Sequence, residues 1–172
     1  YVNNVGISEW KPINEINEEF LNKLIHTNIY STLWGCKVAA NYLGENGSII
    51  NISSIAGKRG STNNSVYVAT KFAMNGITQS LAKELGSKKI RVNAICPVLI
   101  KTEGLMTALK SKYSPAKYGV SKFFEEFIAS QTALDRLPTS KEVAEMVIFL
   151  ASKKSSAITG QCINVDCGVF PQ

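Results

Sequence analysis

Histidine and paired cysteines are scarce in this sequence. His26 is the only histidine, and the four cysteines (Cys36, Cys96, Cys162 and Cys167) include no C-x-x-C pair. Zinc sites that combine cysteine and histidine therefore have almost no ligands to draw on. A serine hydrolase would have to use His26, and no G-x-S-x-G turn is present to supply its nucleophile. Cys36 and Cys96 lie in apolar segments, which favours buried thiols in a reducing, cytoplasmic setting.

Long apolar runs are also missing. No stretch approaches the roughly 18 residues that a bilayer-spanning helix requires, and we expect no membrane partner. The net charge is +6, from 19 Lys and Arg against 13 Asp and Glu. These charges are scattered and not interleaved with aromatic residues, so we expect no nucleic-acid partner. With 45% hydrophobic and 19% charged residues, the 172 residues predict one globular domain.

Strand-like and helix-like segments alternate along the chain. The helix-like segments are 18–43, 66–85 and a segment that Ser140 is expected to cap; the strand-like segments are 2–4, 48–52, 91–95 and 160–165. Apolar residues recur at helical spacing in the first group, and the second group is short and apolar or β-branched. This alternation predicts an α/β fold with a doubly wound parallel sheet.

One side-chain pair on a predicted helix is suited to proton transfer. Tyr67 and Lys71 are four residues apart, so their side chains share a helix face. An ammonium group near the phenol would lower the tyrosine pKa from about 10, which suits proton exchange with a carbonyl or hydroxyl oxygen. The pattern Y-x-x-x-K alone also arises by chance on helix surfaces. Ser53 and Ser54, however, follow the strand at 48–52, where open α/β sheets place their ligands.

The spacing of these residues resembles the short-chain dehydrogenase/reductase family, and within it the 3-oxoacyl-carrier-protein reductases. Ser54 precedes Tyr67 by 13 positions, as the family pattern requires. Further similar motifs are N-N-V-G at 3–6, an asparagine at 28, R-V-N-A-I-C-P at 91–97, I-T-G-Q at 158–161 and V-D-C-G at 165–168. The similarity extends over essentially the whole chain. It implies that 1–172 is the C-terminal part of a single NAD(P)-binding Rossmann-like domain.

The resemblance implies a role for each of four catalytic residues. Tyr67 would be the general acid in reduction and the base in oxidation, and Lys71 would lower its pKa and hydrogen-bond the nicotinamide ribose. Ser54 would hold and polarise the substrate carbonyl. Asn28 would anchor a water molecule that links Lys71 to solvent. Structural alternatives are a helix-interior amide for Asn28 and a turn residue for Ser54, whereas Ser53 is interpreted as a packing or strand-end residue.

The implied activity is hydride transfer between NAD or NADP and a carbonyl or secondary alcohol. The cofactor-contacting residues implied by the resemblance are Asn4, Gly6, Tyr67, Lys71, Pro97, Ile100 and Thr102. The extended branch of the family, which includes sugar-nucleotide epimerases, is disfavoured because only 101 residues follow Lys71. A non-catalytic or impaired binding or assembly protein on the same fold is the alternative from another class.

The chain departs from the family pattern in three respects. No G-x-x-x-G-x-G or G-x-G-x-x-G loop occurs, so we expect the first strands and the pyrophosphate-binding turn to lie outside this chain. The residues that select NAD or NADP would lie there too, which leaves both cofactors open. Val98 replaces a glycine, which puts the geometry of the nicotinamide contact in doubt. Cys167 replaces another glycine, and we expect the effect there to be milder.

A lysine-rich segment at about 102–135 corresponds to the family's substrate lid. Between positions 101 and 122 the chain carries five lysines and, of the acidic residues, only Glu103. The lysines are Lys101, Lys110, Lys112, Lys117 and Lys122. They indicate either an electropositive entrance for an anionic or carrier-linked substrate or a solvated loop. The aromatic residues at 123, 124 and 127 are expected to be core.

Self-association is a further implication of the family resemblance. A homodimer or homotetramer would form through the helices at 18–43 and 66–86. The small residues Ala69, Ala73 and Gly76 would allow close approach of two helices there.

Overall fold

The computed structural model describes residues 1–171, in which four parallel strands form a sheet of order β1-β2-β3-β4. The strands are β1 (Val2–Asn3), β2 (Ser48–Ile52), β3 (Arg91–Pro97) and β4 (Cys162–Val165). The helices are α1 (Glu18–Ile25), α2 (Ser31–Tyr42), α3 (Ser65–Glu84), α4 (Glu103–Ala108), α5 (Val120–Gln131) and α6 (Ser140–Ala151). Helical crossovers connect the strands, as parallel neighbours require. The predicted parallel α/β fold is confirmed.

Helices cover both faces of the sheet because successive β2 side chains point to opposite sides. Ile49 packs in a buried cluster with Cys36 of α2 and Ala82 of α3. Its neighbour Ile50 packs on the other face in a cluster that contains Leu150 of α6. Both isoleucines are completely buried, so β2 is an inner strand with a helix layer against each of its faces.

A buried asparagine fixes the position of α3 over the sheet. Asn51 of β2 has no exposed surface, and its amide nitrogen donates to Thr78 Oγ1 of α3 at 2.9 Å. Its amide oxygen accepts from Asn3 Nδ2 of β1 at 2.8 Å. Because a buried amide without partners would cost about 1–3 kcal/mol, these bonds favour one register between β1, β2 and α3.

The long helix predicted over 18–43 is interrupted by a wider turn. Residues His26–Tyr30 form a π-helical segment between α1 and α2, in which Ser31 N donates to His26 O.

The predicted cap of the last helix at Ser140 is wrong by one residue. Thr139 caps α6, because its Oγ1 accepts from Glu142 N while the Glu142 carboxylate accepts from Thr139 N.

The lid, residues 102–135, contains α4 and α5 and packs on an apolar cluster. Phe124 is buried there with Leu109, and Phe123 and Phe127 pack against them, as the sequence predicted. Trp10, Ile55, Val98, Leu137 and Val169 complete the buried part of this cluster. Within residues 1–171, no helix combines the length and the apolar character that crossing a bilayer demands.

Candidate active site

The predicted site residues lie at and beyond the carboxyl ends of β1, β2 and β3. Ser54 follows β2 in an extended conformation and caps the short turn Ile55–Gly57, where its Oγ accepts from Ala56 N at 3.1 Å. Ser53 beside it is buried, and its main-chain N donates to Ile95 O of β3 at 2.8 Å. Ser53 therefore ends the strand pairing, and Ser54 turns the chain toward α3.

Tyr67 and Lys71 occupy the first two turns of α3. Lys71 Nζ lies 5.7 Å from the centre of the Tyr67 ring and donates to Ile52 O at 2.9 Å. Lys71 is only 4% exposed, and this burial lowers its pKa to about 8. A lysine held with so little water responds strongly to any charge that develops beside it.

The sequence-based expectation of a lowered tyrosine pKa is wrong for Tyr67. Burial raises its pKa above 10, while hydrogen bonding to Ser54 lowers it and the nearby Cys96 raises it further. Loss of solvation dominates because it penalises the phenolate directly. The Lys71 ammonium is meanwhile bonded to the Ile52 carbonyl. At neutral pH the Tyr67 phenol therefore carries its proton.

Asn28 lies in the π-helical segment and joins two other parts of the chain. Its Oδ1 accepts from Ile7 N at 2.9 Å, and its Nδ2 donates to Ile7 O at 3.0 Å and to Thr70 Oγ1 at 3.0 Å. Thr70 in turn donates to Tyr67 O at 2.7 Å. The Asn28 side chain thus makes three hydrogen bonds that tie the segment after β1 to the first turns of α3.

Three residues of this arrangement were missed in the sequence. Thr70 is 1% exposed and connects Asn28 with the Tyr67 main chain. Asn75 Nδ2 donates to Gly57 O at 2.9 Å, and a Cβ on Gly57 would lie only 2.7 Å from Lys71 O. The glycine in I-A-G was a usable signal for this close approach, because only glycine leaves such room.

The residues expected to contact a cofactor fall into two groups. Asn4 and Gly6 follow β1 and are exposed, and a Cβ on Gly6 would lie 3.4 Å from Asn28 Oδ1 and 3.6 Å from Lys71 Nζ. The bare backbone at Gly6 thus leaves a cradle beside Lys71 that a side chain would fill, which fits the close approach of a sugar ring.

The second group follows β3. Pro97 ends the strand, is buried and pairs in register with Val165, and Ile100 is half-buried. Thr102 is exposed and caps α4, where its Oγ1 accepts from Leu105 N at 3.3 Å. The capping bond leaves the Thr102 hydroxyl proton available to another acceptor.

Comparison with known proteins assigns the family. A family model described as Enoyl-(Acyl carrier protein) reductase matches residues 1–170. The chain belongs to the short-chain dehydrogenase/reductase family. The L-2,3-butanediol dehydrogenase of Corynebacterium glutamicum is 38% identical over 173 residues. A diacetyl reductase, (S)-acetoin forming, of Staphylococcus epidermidis is 40% identical over 177 residues. Each match covers 98% of this chain and 66% of the relative, so the chain spans slightly less than two thirds of their length.

Solved structures of short-chain dehydrogenases resemble the chain closely. A family member from Francisella tularensis superposes with a TM-score of 0.90 at 30% identity, over 99% of this chain and 70% of that one. A 4-hydroxyisoleucine dehydrogenase complexed with NADH gives 0.80 at 28% identity, over 98% of this chain and 67% of that one. ElxO with NADP bound gives 0.83 at 35% identity, over 99% of this chain and 66% of that one.

The two residues that replace glycine in this short-chain dehydrogenase/reductase chain differ in backbone conformation. Val98 is not among the residues with positive φ, and it is 8% exposed within the apolar cluster under the lid. Its branched side chain therefore causes no backbone strain. Cys167, expected to be the milder replacement, has φ of 55°, in the left-handed region that favours glycine. Its carbonyl accepts from Ala133 N at 2.9 Å, which holds that conformation.

Proposed function

We propose that the native protein is an NAD(P)-dependent oxidoreductase that interconverts a carbonyl and a secondary alcohol, with Tyr67 giving or taking the proton. The observation that carries the proposal is the Tyr67 phenol in a poorly solvated site with Lys71 and Ser54, at the carboxyl edge of the sheet. Groups with perturbed pKa values in such a position are typical of active sites. Family membership and the names of the relatives support the same reaction class.

Each of the three side chains has a distinct task. The Tyr67 phenol, protonated at neutral pH, donates its proton to the oxygen that becomes the alcohol. The Ser54 oxygen already accepts from Ala56 N, and its hydroxyl, which hydrogen-bonds with Tyr67 when no substrate is bound, would donate to the substrate carbonyl and polarise it. In oxidation the charge on Lys71 stabilises the Tyr67 phenolate. Asn28 holds the backbone beside Lys71, and we propose that water bound there carries protons to solvent.

The cofactor would lie along the exposed segment after β1 and the segment after β3. Lys71 would hold the ribose next to Gly6, where no side chain obstructs the approach. Asn4, Pro97, Ile100 and Thr102 would contact the rest of the nicotinamide end. When bound, the nicotinamide supplies or accepts the hydride, and the protein orients it. NAD and NADP are both candidates, since similar structures contain one or the other.

A small neutral substrate is favoured over an anionic or carrier-linked one. Lys101, the residue just before the lid, lies over the Phe124 ring at 4.9 Å. Lys112 of the lid lies over the Tyr113 ring at 4.5 Å. Lys122 lies 5.7 Å from the Tyr118 ring. These contacts use the lysines to cover aromatic faces of the lid. 2,3-Butanediol, diacetyl and acetoin, the diol, diketone and hydroxyketone named for the relatives, are therefore the first substrates to assay.

Replacing Tyr67 tests the proposal. In the native polypeptide Tyr67→Phe should reduce turnover of an acetoin or diacetyl substrate by about 10²–10⁴-fold, because the acid/base group is lost while the ring remains. Without the substitution, alcohol oxidation should accelerate as the pH rises from about 6 toward 8, since Tyr67 must lose its proton and burial raises its pKa. Above about pH 8 the acceleration should stop, because Lys71, whose pKa is about 8, loses the charge that stabilises the phenolate. Carbonyl reduction should not accelerate over that range. Steady-state rates of alcohol oxidation and carbonyl reduction, measured at a series of pH values, give the two pH dependences.

Tyr42→Phe is the matched control, because Tyr42 is 84% exposed at the end of α2. Its rates should equal those of the unmodified protein. Retained turnover in Tyr67→Phe would contradict the assigned chemistry. If neither NADH nor NADPH binds the native polypeptide by fluorescence titration, the binding or assembly protein on the same fold becomes the better assignment.

A further inference from the structure

Tyr113 of the lid contacts the segment before α1 and the segment before α3. Its hydroxyl donates to a carboxylate oxygen of Glu15, and its main-chain carbonyl accepts from Asn63 Nδ2 at 3.3 Å. The Lys112 ammonium lies 4.5 Å above the centre of its ring. The ring itself packs against the apolar cluster under the lid. One side chain and its backbone thus make four kinds of contact at this point.

The two anchoring segments are joined to each other and to Tyr67. Asn63 O accepts from Lys11 N at 2.6 Å, which ties the segment before α3 to the segment before α1. Glu15 ends the short turn Ile13–Glu15 that leads into α1. Asn63 stands only four residues before Tyr67 in the chain. A lid held at Tyr113 is therefore held against the segment before α1 and against the segment that leads into the first turn of α3, where Tyr67 lies.

Charge strengthens the contact with Glu15. A phenol that donates to a carboxylate makes a shorter and stronger bond than a neutral pair. Lys112 lies beside it, and the Tyr113 hydroxyl and the Glu15 charge raise the pKa of Lys112. Tyr113 therefore has two charged neighbours, the Lys112 ammonium over its ring and the Glu15 carboxylate at its hydroxyl.

We propose that Tyr113 is a positioning residue that fastens the lid over the candidate active site through Glu15 and Asn63. The inference rests on the proposed function for its kinetic consequence but not for the contact itself. Tyr118 shows that a lid tyrosine need not do this. Tyr118 is 83% exposed, Lys122 lies 5.7 Å from its ring, and within residues 1–171 its hydroxyl makes no hydrogen bond.

Hydrogen exchange of the lid amides tests the contact independently of activity. In Tyr113→Phe the ring and its cation–π partner remain, but the hydroxyl is lost. Amides of 103–119 should then exchange about fivefold faster, as expected for loss of one hydrogen bond of average strength. Glu15→Gln should have a similar effect, and the double variant should add little to either. Tyr118→Phe is the matched control and should leave the exchange unchanged.

Kinetics test the positioning role. Tyr113→Phe should raise the KM for the carbonyl substrate several-fold and change kcat by less than twofold, because the residue does not touch the reacting atoms. Unchanged lid exchange, or fully additive effects of the two substitutions, overturns the contact with Glu15. Faster exchange with an unchanged KM overturns the positioning role. Absence of any turnover in the unmodified protein, with faster exchange in the variant, refutes the proposed function and the positioning role but leaves the contact itself established.

Discussion

At the residue scale, Val98 and Cys167 occupy places where the family has glycine, but their backbones differ. Val98 has an ordinary conformation and buries its side chain under the lid, so its extra carbon atoms contribute apolar burial. Cys167 has a positive φ of 55°, and it is half-buried. A residue with a Cβ pays about 1–2 kcal/mol for that conformation. The residue type alone does not reveal this difference, because φ also depends on the hydrogen bonds of the local backbone, such as the one that the Cys167 carbonyl accepts from Ala133 N.

We predict opposite stability changes when glycine is restored at these two positions. Cys167→Gly should stabilise the protein by up to about 1 kcal/mol, since relief of strain exceeds the entropy that glycine adds to the unfolded chain. Val98→Gly should destabilise it by about 2–3 kcal/mol through lost burial and added chain entropy. Urea unfolding monitored by circular dichroism gives both values. A loss of stability in Cys167→Gly would show that its thiol packing outweighs the strain.

At the element scale, Thr70 connects the π-helical segment to α3. It accepts from Asn28 Nδ2 and donates to Tyr67 O, and it is 1% exposed. Asn28 also hydrogen-bonds to the main-chain N and O of Ile7. The Thr70 hydroxyl therefore helps to connect the segment after β1, the π-helical segment and α3. The position of the Tyr67 main chain therefore depends on contacts that Thr70 makes one turn further along the helix.

Thr70→Val should disturb the site while preserving side-chain shape. The substitution leaves one Asn28 N–H buried without a partner, which should lower the free energy of unfolding by about 1–3 kcal/mol. It should also lower kcat more than it raises KM, because Tyr67 loses a main-chain anchor. Thr70→Ser restores the hydroxyl and should recover most of both losses. Chemical unfolding and steady-state kinetics measure the two effects, and equal behaviour of the valine and serine variants would contradict the role of the hydroxyl.

Much of the element pattern could be predicted, and the wider turn could not. The helix predicted over 66–85 is observed at Ser65–Glu84, because its apolar residues recur at helical spacing and Gly86 follows. The π-helical segment has no such signal, since H-T-N-I-Y contains ordinary helix residues. Asn28 in this segment hydrogen-bonds to Ile7, which lies 21 positions earlier in the chain, and the local sequence does not reveal that contact. Motif spacing likewise located Tyr67 and Lys71, whereas the pKa of Tyr67 depends on burial that spacing does not describe.

At the scale of the whole molecule, large apolar side chains of α1, α2 and α3 remain exposed. Leu21, Leu33, Trp34 and Phe72 are between 38% and 60% exposed. Leu21 also lines a shallow apolar groove together with Ile13, Ile16, Ile25, Ile29 and Ala69. A Cβ on Gly76 of α3 would meet nothing within 4 Å, so another helix has room to approach there. We call these residues of α1–α3 the apolar strip.

We propose that the apolar strip pairs two copies of the chain, and Phe72 gives the sharpest test. Phe72→Glu would place a charge inside a contact between α3 helices, where burying it unpaired is costly. The native polypeptide should then change from a dimer or tetramer to a smaller species in multi-angle light scattering after size exclusion. Ile148→Glu is the matched control, because Ile148 is 68% exposed on α6, outside the strip. Its mass should stay that of the unmodified protein. If Phe72→Glu keeps the same mass, or if Ile148→Glu alone reduces it, the helices of the strip are not the surface through which the copies pair.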